Sequence, residues 1–197
     1  MELTKVQKLS RVLKILVWIT LICNILALIC VPEIVMILKD GGPSRLREFM
    51  MELSRTMAYN GGQGAFFQLM VIFGCYRAVW TSMETAIWTV FFWICGICTA
   101  VMLCQALHIL KTIRQGNPFQ MVNARSMKRA AVSCWVISGA SLVRLVIWLY
   151  LEGNPAPLFT YTCLFIPVFF MGGLLFMVMS ALFFQAAQLQ EDQDLTI

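Results

Sequence analysis

Apolar residues along the chain fall into long unbroken runs, separated by short clusters of charge. Ile15 to Pro32, Thr85 to Leu110, Ala130 to Leu151 and Gly153 to Gln190 are almost free of charged side chains. The third run holds one charge, Arg144, and the second holds the single histidine, His108. A helix needs about 20 mostly apolar residues to cross a hydrocarbon core of roughly 30 Å. The pattern therefore predicts four transmembrane helices, at approximately 12–36, 85–110, 130–151 and 159–187. A β-barrel would need strands of about ten residues with alternating polarity, and these runs do not alternate. The expected fold class is all-α: a single integral membrane domain, a four-transmembrane-helix bundle spanning 1–197.

The segment 39–83, between the first two spans, has a different period. It opens on the turn cluster Asp40-Gly41-Gly42-Pro43. Leu46, Phe49, Met50, Leu53 and Met57 then recur at helical spacing, with Arg45, Arg47, Glu48, Glu52 and Arg55 between them. That is an amphipathic helix, expected to lie on the membrane, cap the bundle or act as a lid over a ligand site. Asn60-Gly61-Gly62-Gln63-Gly64 is expected to break it. Ala65 to Tyr76 is too short for a comfortable crossing and is expected to re-enter, lie in the interface or extend the second span.

Composition agrees with a bilayer as the solvent. Hydrophobic residues make up 60% of the chain and charged residues 13%. A soluble domain carries roughly 45–50% apolar and about 25% charged residues. Disordered chains are hydrophilic, and disulfide-stapled secreted domains are short and cysteine-dense, so neither class fits. The basic residues give an orientation. Lys5, Lys8, Arg11 and Lys14 precede the first span, and Lys111, Arg114, Arg125, Lys128 and Arg129 surround the connection between the second and third. The connection between the third and fourth has only Glu152. Both basic segments are thus expected in the cytoplasm, with both termini, including the tail 188–197, on that side. The net charge of +5 then faces anionic headgroups and is no argument for direct nucleic-acid binding.

The connection itself reads Lys111-Thr112-Ile113-Arg114-Gln115-Gly116-Asn117-Pro118-Phe119. Basic residues followed by Gly close a helix, and Asn then Pro read as an N-cap and first helical position. A turn this short makes its two helices antiparallel neighbours. Phe119 is expected to staple the corner.

Arg144 is the one strong charge inside a span, where a charge costs about 2.5–3.5 kcal/mol on the insertion scale. Glu33 and Glu84 are its candidate partners: Arg144 is expected to snorkel outward, to make a structural ion pair, or to join a polar cluster that binds an anionic or peptide ligand. His108 is expected in a headgroup-level or capping role. Cys95 and Cys98 form a CxxC in an apolar run, and the eight cysteines and thirteen methionines read as packing residues. Gly172-Gly173 permits close helix approach or a kink. No phosphate-cradling loop, metal-ligand cluster or nucleophile–base set stands out, so neither an enzyme nor a bound cofactor is expected.

Two stretches carry a family resemblance. One is Gln115-Gly116-Asn117-Pro118-Phe119 followed by the basic helix start Arg125 to Arg129. The other is the terminal Leu189-Gln190-Glu191-Asp192-Gln193-Asp194-Leu195-Thr196-Ile197. With four spans, the chain resembles the bacterial membrane family called domain of unknown function 2975. The resemblance implies a bacterial inner-membrane location and a regulatory role, because members are often encoded beside a very small helix-turn-helix regulator. The partner surface it suggests combines Asn117, Pro118, Phe119, Arg125, Lys128 and Arg129 with the acids Glu191, Asp192 and Asp194. Those acids could meet a basic DNA-reading surface or fold back onto the basic connection. The bilayer is the first partner, and nothing in the chain opposes a homo-oligomer. The competing expectation is a small transporter or exporter subunit, giving resistance to toxic peptides, with Arg144 and a Glu on a polar path.

Overall fold

The structure is a computed structural model that describes residues 5–115, 120–153 and 161–194. Among the described residues all regular structure is helical. Helix α1 covers Lys5–Ala78, a 3-10 turn covers Val79–Thr81, and α2, α3 and α4 cover Met83–Arg114, Met121–Glu152 and Tyr161–Asp194. Four stretches are long and apolar enough to cross a membrane: Ser10–Ile37, Met83–Arg114, Met121–Leu151 and Cys163–Asp192. They coincide with the four apolar runs. The chain folds as two compact units, one made of Met1–Ile25 with Ile94–Ile197 and the other of Leu26–Trp93.

In the first unit α3 is the central helix. Asn123, Ala124, Ala130, Ala131, Cys134, Ile137, Ser138, Ser141 and Arg144 form its buried stripe, at spacings of three and four. Small side chains dominate this stripe, as close helix packing in lipid requires. On α4, Ser180 Oγ donates to Ala124 O at 2.7 Å, and Ser138 Oγ donates to Ile166 O at 2.9 Å. These two ties are equally spaced along both helices, so α3 and α4 run antiparallel in one register. Thr112 bonds Asn123, and Met102 Sδ lies 3.4 Å from Cys134 Sγ, which sets α2 antiparallel to α3 as expected. The outer faces carry exposed Val132, Val136, Leu142 and Val143 on α3 and Leu164, Val168, Met171 and Leu175 on α4. Apolar surface of this extent is solvated by lipid.

Helix α3 closes on Gly153, whose φ of 61° and N–H bond to Leu149 O make a left-handed cap. Its start differs from expectation. Gln120 is the N-cap in an extended conformation, and the helix begins at Met121, so Asn117 and Pro118 do not open it. Asn117, Pro118 and Phe119, with the predicted staple, lie outside the described residues.

The second unit holds the other correction. The backbone stays helical through the turn cluster Asp40–Pro43 and through Asn60–Gly64, where breaks were expected. Yet Tyr76 Oη donates to Ile29 O at 3.3 Å. In a straight helix those residues would stand about 70 Å apart. The path of α1 therefore doubles back between them, and the glycines at 41, 42, 61, 62 and 64 with Pro43 are where bending costs least. A helical Gly costs about 1 kcal/mol and a helical Pro about 3, and the helical backbone persists through both clusters. The exposed Arg47, Glu48 and Arg55 agree with the polar face of the predicted amphipathic helix. After the 3-10 turn, Ser82 caps α2: its Oγ accepts from Thr85 N and its carbonyl from Ala86 N.

Candidate functional site

The end of the first unit that carries the α2–α3 connection is fastened by polar contacts that do not depend on lipid. Asn123 is fully buried, and its Nδ2 donates to Thr112 Oγ1 at 2.7 Å. Thr112 Oγ1 donates in turn to Ile109 O at 2.8 Å. Ser10 Oγ donates to Leu110 O at 3.3 Å, which brings the start of α1 to the same level. With Ser180 on Ala124, all four helices of this unit meet at one cross-section. Sequence reading missed this latch, because Thr112 and Asn123 are individually ordinary; only their facing positions signal it.

Arg125, Lys128 and Arg129 are exposed, on the face of α3 opposite the buried Asn123, Ala124, Ser126 and Ala130. Arg11, Lys111 and Arg114 are also exposed at this end, and Lys14 is half-buried. The structure thus assembles the scattered basic residues into a collar around one end of the unit. Such a collar suits the headgroup level of a bilayer, where the phosphates are anionic. His108 is exposed in the same zone.

The acids lie at the end of α4. Helix α4 does not end near 187 but continues through Asp194. In the α3–α4 register Arg125 is level with Met179, so Glu191 lies roughly 18 Å further along the axis. The helix itself prevents Glu191 and Asp192 from folding back onto Arg125, Lys128 and Arg129. Asp194 closes the helix backbone, and Leu195, Thr196 and Ile197 lie outside the described residues. The last turn of α4 has no basic residue, so its carboxylates sit at the negative end of the helix dipole, where they cost stability.

The residues of the proposed intramembrane cluster are each described in their own unit. Arg144 is 7% exposed within α3 of the first unit, and Glu33 is 5% exposed within α1 of the second. Glu84 is exposed at the start of α2. There it lines a cavity of about 450 Å³ with Val35, Lys39, Thr85 and Trp88. The sequence signal for this cavity was weak: Lys39, next to Asp40, and Glu84 are far apart in the chain, at the ends of two apolar runs.

Of Gly172 and Gly173, only the second is a close-approach position. A Cβ on Gly173 would overlap the Trp135 indole, whereas one on Gly172 meets open space. Cys95 and Cys98, like the other cysteines, are free thiols.

Long apolar helices, lipid-facing side chains and a cationic collar define a multi-pass α-helical membrane protein. The chain belongs to the family described as Protein of unknown function (DUF2975), whose match covers residues 59–197. No curated protein and no solved structure matches it. The family match takes in the polar latch, the basic row and the acidic end of α4, and begins within α1, after Val35 and Lys39.

Proposed function

We propose that this protein is a non-enzymatic regulatory partner in the bacterial inner membrane, holding a small helix-turn-helix regulator at the cytoplasmic face through the end of α4. The positive-inside rule supports placing the collar, and with it both termini, in the cytoplasm. The observation that carries the reading is the helical extension that sets Glu191 and Asp192 roughly 18 Å beyond Arg125. Anionic headgroups gathered by the collar repel the Glu191 carboxylate, and the helix dipole disfavours it. A cationic surface relieves both costs, and DNA-reading domains carry such surfaces.

The test is fractionation of cells that co-express this protein and a small helix-turn-helix protein of the kind encoded beside members of the family. Full-length protein should retain the regulator in the membrane fraction, and raised salt should weaken retention. Deleting Glu191 to Ile197 should release most of it, with the membrane protein still inserted. Equal retention by the full-length and shortened chains would overturn the proposal.

A further inference from the structure

The cavity lies wholly within the second unit and is built without any residue of the α4 end. Its lining changes character from one side to the other. Val35 belongs to the apolar end of the first span, which closes at Ile37. Trp88 lies in the second span, which opens at Met83. Lys39 and Glu84 stand at those two span ends, where hydrocarbon gives way to headgroups. The cavity therefore straddles the boundary, with an apolar floor and a charged rim.

The rim carries one charge of each sign. Lys39 Nζ donates to Ser82 Oγ at 3.1 Å rather than pairing with Glu84. Ser82 and Thr85 are held by their own hydroxyl contact of 2.6 Å, and Thr85 Oγ1 bonds Val79 O at 2.7 Å. Val79, Thr85 and Thr89 are essentially fully buried beneath it, so the rim rests on a packed base. A ligand that satisfies this lining has an anion for Lys39, a cation for Glu84 and an apolar portion for Val35 and the Trp88 ring. A volume near 450 Å³ is in the range of small-molecule sites.

We propose that this cavity binds the phosphoethanolamine headgroup of a membrane lipid. The phosphodiester would lie against Lys39 and the ammonium against Glu84, with the upper part of an acyl chain along Val35 and Trp88. The position at the hydrocarbon boundary favours the lipid over free phosphoethanolamine, because only the lipid occupies floor and rim together.

The experiment is native mass spectrometry of the full chain, exchanged into nanodiscs of phosphatidylethanolamine and phosphatidylglycerol in equal amounts. Retention of phosphatidylethanolamine several-fold above phosphatidylglycerol is the expected result, and equal retention overturns the proposal. Glu84→Gln should abolish the preference, and Lys39→Gln should lower retention of both lipids. Val35→Trp, which fills the cavity floor, should lower retention without changing helix content by circular dichroism. A preference unchanged in both Glu84→Gln and Val35→Trp would also overturn it. Soluble phosphoethanolamine at millimolar concentration should fail to displace the lipid. Full displacement would assign the site to a soluble ligand and overturn the lipid assignment.

Discussion

At the scale of single residues, the strongest constraints lie in polar and small side chains rather than in large apolar ones. Asn123 is fully buried and joined to Thr112, so removing one partner strands the other in a place water does not reach. Asn123→Ala should cost about 1–3 kcal/mol of bundle stability. The double variant Thr112→Val with Asn123→Leu, which removes both polar groups together, should recover much of that loss. Thermal unfolding in detergent reads both variants, and simple additivity would argue against the latch. Gly173 is constrained in another way. Gly173→Ala drives a methyl into a rigid indole and should destabilise by about 1–3 kcal/mol, while Gly172→Ala should be near neutral. The sequence shows the Gly pair, but only the facing Trp135 tells its members apart.

At the scale of elements, α4 shows how a helix can serve two solvents. From Cys163 to Ala187 it touches the bundle along a narrow stripe and turns the rest of its surface to lipid. Beyond Ala187 its described residues through Asp192 are exposed, and it keeps its helical bonds while its composition becomes polar. Composition predicted a tail there, because the apolar run ends. The helix continues because Gln, Leu and Glu are good helix formers and no Gly or Pro intervenes. If the projection matters, Gln188→Pro should leave insertion intact but uncouple the acids from the helix axis. In the fractionation assay it should release the regulator as deletion does, and unchanged retention would show that charge alone suffices. Helix α1 teaches the converse. Its glycine clusters were legible as weak points, but whether a weak point opens into a loop or bends within a helix depends on what can satisfy the freed peptide groups.

At the scale of the whole molecule, the positive-inside arrangement makes a definite topological prediction. With native cysteines replaced, single cysteines at positions 116 and 194 should be labelled by a membrane-impermeant thiol reagent from the same side. A cysteine at Gly153 should be labelled from the opposite side. Labelling of 116 and 194 from different sides would mean that α3 or α4 fails to cross, and would overturn this topology.

The solvent, the number of spans and the antiparallel α2–α3 pair were legible in the residues alone, because hydrocarbon thickness and backbone satisfaction leave an apolar run of this length few alternatives. The residues also supplied the charges but not their grouping. Tertiary structure decided that Arg11, Lys111, Arg114 and the α3 row form one collar, and that α4 carries Glu191 further along its axis than the level of Arg125. It also decided that Lys39 and Glu84 share a cavity. Those facts depend on helix register and on where α1 bends, which are set by contacts between residues far apart in the chain and leave no periodic trace in either segment alone.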